Sequence, residues 1–235
     1  VGTLNLLDAM RAADVPRIVF SSTAAVYGIP KQVPIPEDAL LAPINPYGIT
    51  KLAMEQALAA YAHAYGLGAA ALSYFNAAGA APEGDLGEDH EPESHLIPIV
   101  LQVAFARHEQ VKMFGFLSLI KDRTCIRDYI HVDDLATAHI AALDQLESNQ
   151  FKAFNLGTGH GASVLEIIET CRQVTGHPIP AIETDPRPGD PPALVADPHK
   201  ANTVLDWKPT HTTIESIVAS AWKWHRTHPN GFVTL

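Results

Sequence analysis

The chain has 235 residues, 47% hydrophobic and 18% charged, with a formal net charge of −10. That length makes one large domain or two modest ones with a real core. The acidic excess, with no lysine- or arginine-rich cluster to offset it, excludes nucleic acid as a natural partner. No apolar run reaches the roughly 18 residues that a membrane span needs, so no membrane partner is expected either. Val1–Arg11 has neither the basic start nor the small-residue cleavage site of a signal peptide. Cys125 and Cys171 are too few for a disulfide framework, and a cytoplasmic location is expected.

Val1–Arg11 reads as a helix already under way, with Leu4, Leu7 and Met10 at helical spacing. A chain that opens inside a helix, without an initiator Met, is expected to be the remainder of a longer protein. Ile18-Val19-Phe20-Ser21-Ser22, behind Pro16, is a short apolar run expected as a buried strand. A proline-rich loop covers Pro30 to Pro43. Asn45-Pro46 is a cap followed by proline at the first helical position, and it opens a helix to about Tyr65 that Gly66 and Gly68 stop. Ala69–Phe75 is the next strand. Helix, strand, helix, strand over residues 1–75 implies parallel strands joined by crossover helices.

Residues 76–95 form a long polar loop of a kind that is usually functional in compact proteins. Ile97–His108 is an amphipathic helix, Arg127–His131 a strand, and Asp133–Leu146 a helix capped by Asp133. Phe151–Leu156 is a strand, and Ser163–Thr175 a helix with a Ser163/Glu166 capping box. Pro178–Pro198 is extended. His199–Leu205 is a short helix and Thr213–His225 the last amphipathic one. No internal repeat or low-complexity tract interrupts the order. His63, His90, His95, His108, His131 and His139 show no H-x-x-x-H or His/Cys spacing, so no metal centre is expected.

Tyr47 and Lys51 stand four apart and share a helix face. A phenol is a poor base at neutral pH, but an ammonium within a few ångströms favours the phenolate, and such a pair can act as a general base toward an alcohol. Tyr-x-x-x-Lys also arises by chance in many helices, so the pair needs company. Ser21-Ser22-Thr23-Ala24-Ala25-Val26-Tyr27-Gly28 supplies it, at the C-terminal end of an expected parallel strand, the edge where open α/β sheets bind ligands. A hydroxyl there can bond a sugar oxygen; otherwise the segment is an ordinary Ser/Thr turn.

The order strand, Ser-Ser-Thr, Val-Tyr-Gly, Asn-Pro-Tyr-Gly-x-x-Lys, helix, strand, Ser-Tyr-Phe-Asn resembles the extended short-chain dehydrogenase/reductase family. The resemblance implies a Rossmann-like doubly wound α/β sheet, its first strands lying before Val1, with a smaller C-terminal α/β substrate domain. Residues 1–76 would be the remaining part of the NAD-binding domain, with a return segment at about 126–146, and 77–235 mainly the substrate domain. Thr23, Tyr47 and Lys51 would be the catalytic triad. Ser21, Ser22, Tyr47, Lys51, Tyr74 and Phe75 would meet NAD.

Where the family's dehydratases and decarboxylases carry acids before Val-Tyr-Gly, this chain has Ala24 and Ala25, which cannot transfer a proton. The longer matches, Phe75-Asn76-Ala77-Ala78-Gly79-Ala80, Gly87-Glu88-Asp89-His90, His95-Leu96-Ile97-Pro98, Ile126–Val132, Asn155–Gly159 and Arg187-Pro188-Gly189-Asp190, are similar to the branch that interconverts UDP-glucose and UDP-galactose with bound NAD. By that resemblance Thr23, Asn76, His95, Leu96, Phe114, Arg127, Arg187, Asp190 and Leu194 line the UDP-sugar site. Arg127 and Arg187 suit a diphosphate through charge-assisted, bidentate bonds, though an arginine taken alone is more often a surface or ion-pair residue. A homodimer is implied, through the Tyr-Lys helix and the helix before Asp14.

The turn Gly157-Thr158-Gly159-His160-Gly161 mimics a dinucleotide fingerprint, but its spacing is G-x-G-x-G, and it reads as structural. The family's glycine-rich NAD loop would precede Val1, which implies that the chain by itself binds NAD poorly. Residues 116–123, Phe-Leu-Ser-Leu-Ile-Lys-Asp-Arg, depart from the family's acidic pattern, and Leu194 stands where some epimerases carry a large Tyr, leaving room for N-acetylated sugars. The competing readings are a UDP-uronate or UDP-pentose 4-epimerase of the same fold, and a non-catalytic nucleotide-sugar or NAD binder.

Overall fold

The computed structural model describes residues 2–114, 122–185 and 191–232. In chain order the elements are α1 (Gly2–Ala12), β1 (Arg17–Ser21), α2 (Pro46–Tyr65), β2 (Gly68–Tyr74), β3 (Asn76–Ala78), α3 (Leu96–Ala104), β4 (Val111–Phe114), β5 (Ile126–His131) and α4 (Val132–Asp144). There follow β6 (Gln150–Leu156), β7 (Gly161–Ser163), α5 (Val164–Thr175), β8 (Ala181–Thr184), β9 (Ala193–Leu194), α6 (His199–Val204) and α7 (Ile214–Thr227). Two compact units form: Val1–Phe75 with Leu135–Gly159 and Ala196–Lys208, and Asn76–Asp134 with His160–Val195 and Pro209–Leu235. No helix among the described residues is long and apolar enough to cross a membrane.

The first unit is built on a three-stranded parallel sheet in the order β1-β2-β6, a Rossmann-like arrangement. Parallel neighbours need a crossover, and α2 supplies it between β1 and β2. The central strand β2 is buried from Gly68 through Ser73, which is why its sequence is continuously small and apolar rather than alternating. Helix α2 starts where Asn45 accepts a hydrogen bond from the Gly48 N–H at 2.8 Å, has proline in its first turn, and ends at Gly66 with φ 79°. Leu7 and Met10 of α1 pack with Leu58, Leu67 and Ala69 in one core cluster, and burying a leucine such as Leu7 or Leu58 is worth roughly 1.5–3 kcal/mol.

The second unit holds a four-stranded sheet, β3-β5-β7 with β9 also on β5, and a separate β4-β8 pair. Its core gathers Ile97, Val100 and Leu101 of α3, Ile167 and Ile168 of α5, and Ile217 and Val218 of α7. The expected capping box is present: the Ser163 hydroxyl accepts from Glu166 N, and the Glu166 carboxylate accepts from Ser163 N.

Several expectations need correction. The return to the first unit comes at 135–159 and 196–208 rather than at 126–146, because β6 is the strand that pairs with β2 while β5 pairs with β3. Helix α3 ends at Ala104 instead of His108, since Ala106 turns to φ 56° and Arg107 N–H reaches back to Gln102 O at 2.9 Å. Asp133 lies inside α4 and does not cap it; the Asp133 N–H donates to Nδ1 of His131 at 3.1 Å. The segment Pro178–Pro198 contributes β8 and β9, and β3, β4 and β7 are further strands of only three or four residues, too short to leave a periodic signature. Gly161 lies in β7 against β5, and a Cβ there would sit 2.3 Å from the Ile126 side chain.

Ser163→Ala removes one half of the capping box and is expected to cost roughly 1–2 kcal/mol. Urea unfolding of parent and variant checks it; an unchanged midpoint would show that the cap contributes nothing.

Candidate functional site

Strand β1 runs out at Ser21, and the chain continues as Ser22 N–H bonds to Leu72 O at 2.9 Å. Thr23 then sits in extended conformation, φ −157° and ψ 149°, and its hydroxyl accepts from Ala25 N at 3.2 Å, capping a short 3-10 turn over Ala24–Tyr27. Tyr27 is buried and donates to Asn155 Oδ1 at 2.8 Å, tying this turn to the end of β6. Gly28 adopts φ 63°, where a Cβ would also run into Ala42 O at 2.1 Å.

The first turn of α2 lies on that 3-10 turn. A Cβ on Gly48 would come within 2.5 Å of Ala25 O, so only glycine allows the approach. Tyr47 is 55% exposed there. One helical turn on, Lys51 donates from Nζ to Ser21 O at 2.8 Å, and the same nitrogen lies 5.6 Å from the Tyr47 ring centroid and 4.9 Å from that of Phe20. Burial lowers the Lys51 pKa. Ser21, Thr23, Tyr47 and Lys51 are thus gathered at the C-terminal edge of the parallel sheet, where Tyr74 and Phe75 also end β2 and follow it.

Three supporting residues escaped the sequence reading. Glu55 is 5% exposed, and the Ser22 hydroxyl donates to its carboxylate. Burial raises the pKa of Glu55. It continues the ladder Tyr47, Lys51, Glu55 at four-residue steps, a signal that was there to find. His139 donates from Nδ1 to Leu135 O at 2.7 Å, which leaves Nε2 to accept from the Ser21 hydroxyl at 3.1 Å; its ring lies 6.4 Å from that of Tyr74. Asn155 accepts from Tyr27 and donates to Ile35 O at 2.8 Å. Neither His139 nor Asn155 has a local spacing to betray it. Ser22 itself is 1% exposed, so it stands behind the surface as a support.

In the second unit a cavity of about 950 Å³ is lined by Asn76, His95, Leu96, Phe114 and Arg127, five of the residues expected at the nucleotide-sugar site, and also by Arg107, His108 and Lys112. Arg127 donates to Ile126 O at 2.8 Å, and Leu194 on β9 is its register partner. His95 bonds Glu88 through Nδ1. Arg187, Asp190 and the atypical stretch 116–121 lie outside the described residues.

The profile of the NAD dependent epimerase/dehydratase family matches residues 1–157. The chain is 54% identical over 235 residues to a UDP-glucose 4-epimerase of Halalkalibacterium halodurans, covering all of this chain and 70% of that one. A crystal structure of UDP-glucose 4-epimerase from Bifidobacterium longum in complex with NAD+ and UDP superposes with a TM-score of 0.92 at 42% identity, over 98% of this chain and 69% of that one. The UDP-Glc/GlcNAc 4-epimerase of Campylobacter jejuni gives 0.80 at 39% identity, over 96% and 69%.

The buried carboxyl of Glu55 makes a signed prediction. Its pKa is raised in the fold, so its contribution to stability is full below the ordinary carboxylate range and is lost as pH rises through the raised value. Glu55→Gln keeps an acceptor for Ser22 and never ionises. The variant is expected to gain on the parent as pH rises from 5 to 8, read as melting temperature against pH; parallel profiles would show that Glu55 carries no such penalty.

Proposed function

The chain belongs to the NAD dependent epimerase/dehydratase family, and from that premise we propose that it interconverts UDP-glucose and UDP-galactose by inverting C4 of the hexose. The observation that carries the reading is the juxtaposition of Thr23, Tyr47 and Lys51 at one sheet edge. Ala24 and Ala25 supply no acid for elimination, which favours simple oxidation and re-reduction at one carbon.

The residues at that edge suit a dinucleotide. Lys51 gives one N–H to Ser21 O, and an ammonium has three to give, enough to hold ribose hydroxyls as well. Ser21, Tyr74 and Phe75 complete the side expected to meet NAD. When bound, NAD supplies the hydride acceptor and donor for C4. Tyr47 then takes the proton of the sugar 4-hydroxyl and later returns it, with the positive charge of Lys51 as the electrostatic partner that a phenolate base needs. Thr23 bonds the same oxygen. Inversion requires the hexose to present its other face, so the nucleotide must be gripped more firmly than the sugar. Arg127, with Arg187 and Asp190, is assigned to that grip, together with Asn76, His95, Leu96 and Phe114 around the second unit's cavity.

We assign the first unit to the cofactor and the second mainly to the UDP-sugar. A cytoplasmic homodimer fits this reading, with exposed Leu4 and Leu6 on α1 and Ile49 and Tyr65 on α2 as the apolar surface that a second copy would cover. Tyr47→Phe is expected to cut turnover of UDP-galactose by more than ~100-fold in the full-length enzyme, the loss typical of a missing proton-transfer group. Turnover within a few-fold of the parent would end the assignment. A broader substrate range is favoured by Leu194, smaller than Tyr and in register with Arg127. It predicts that UDP-N-acetylglucosamine is also epimerised, in a coupled assay beside UDP-glucose; no product there would confine the enzyme to plain hexoses.

A further inference from the structure

Periodic spacing hides a convergence in the loop between β3 and α3. Glu88, His90, Glu93 and His95 each bring one ligand-capable atom to within 4.8 Å of the others. We propose that this cluster is a divalent transition-metal site fitted to Zn²⁺, held by two imidazoles and two carboxylates. The donor set decides the class of ion. Imidazole nitrogens with carboxylate oxygens suit zinc and its neighbours, whereas calcium and magnesium prefer oxygen alone.

Two ligand-to-ligand distances agree. Zinc–nitrogen and zinc–oxygen bonds of about 2.0–2.2 Å put the edge of a tetrahedron at about 3.4 Å. His95 Nδ1 lies 3.4 Å from Glu93 Oε1, and His90 Nδ1 lies 3.7 Å from it. His95 Nδ1 also bonds the Glu88 carboxylate, a contact in which the cation replaces the shared proton. The carboxylate of Glu93 is held in place, since it accepts the backbone N–H groups of Ser94 at 2.6 Å and His95 at 2.7 Å, and the side chain is 6% exposed. Such outer partners orient metal ligands.

A second observation points the same way. Glu88, His90 and Glu93 line a polar cavity of about 250 Å³ together with Trp224. Trp224 is 1% exposed, and among the described residues its indole N–H has no hydrogen-bond partner. A buried donor is costly to leave unpaired. A water held in that cavity by the carboxylates of the cluster would accept from it.

The test uses the full-length protein, stripped with a chelator and titrated with Zn²⁺ by calorimetry without any nucleotide sugar, so the result is independent of the epimerase reading. One Zn²⁺ per chain is expected, with a rise in melting temperature that saturates at the same ratio, because a ligand of the folded state stabilises it. His90→Ala and Glu88→Gln should each weaken binding by at least about 10–100-fold, the loss that even outer partners cause. His63→Ala, on α2, should not. The His90 side chain is 51% exposed, so its removal leaves the metal-free melting temperature in place. Cobalt substitution gives an independent readout: the visible absorption of tetrahedral Co²⁺ should appear in the parent and vanish in His90→Ala. Absence of saturable binding at one equivalent, or parental affinity in both loop variants, overturns the site and leaves the cluster as histidine–carboxylate pairs.

Discussion

A helix can lie against a turn at backbone distance only if nothing projects from it at the point of contact. Gly48 meets that condition. With no Cβ in the way, the first turn of α2 settles on the carbonyl of Ala25, and the residues on either side are placed by the same contact. Tyr47 is carried to the sheet edge, and Lys51 reaches Ser21 O one turn later. Asn45 and Pro46 fix where the helix begins, so the register of the ladder is set by local residues.

Behind that contact stands a layer of buried and half-buried polar groups. Ser22 is held by Glu55, Ser21 by His139, and Tyr27 by Asn155. Each bond ties the end of β1 or the segment after it to a different element: α2, α4 and β6. A site on loop residues needs such support, because a hydroxyl misplaced by an ångström loses most of its effect. The cost is a carboxyl and a phenol removed from water, visible in the raised pKa values of Glu55 and Tyr27.

The second unit solves a different problem. Its cavity is lined by residues from β3, the 91–95 loop, α3, β4 and β5, so the groups assigned to the nucleotide come from positions up to about fifty residues apart, such as Asn76 and Arg127. The loop that carries His95 also gathers Glu88, His90 and Glu93, and it is held at both ends, by β3 and by α3.

The sequence by itself determined the elements whose signals are local. Cap, proline and glycine bounded α2, a Ser/Glu box opened α5, and short runs of small or apolar residues marked β1 and β2, because these depend on neighbours within a turn or a strand. The Tyr47–Lys51 pair was legible for the same reason, and Glu55 would have been, as the next step of one helical face. Only tertiary structure decided the rest. The short strands β3, β4, β7, β8 and β9 exist because a partner strand pairs with them, and α3 stops early at a backbone turn that no residue type announced. His139, Asn155 and the Glu88–His95 cluster acquire their partners from irregular or distant segments, where separation along the chain carries no information about separation in space.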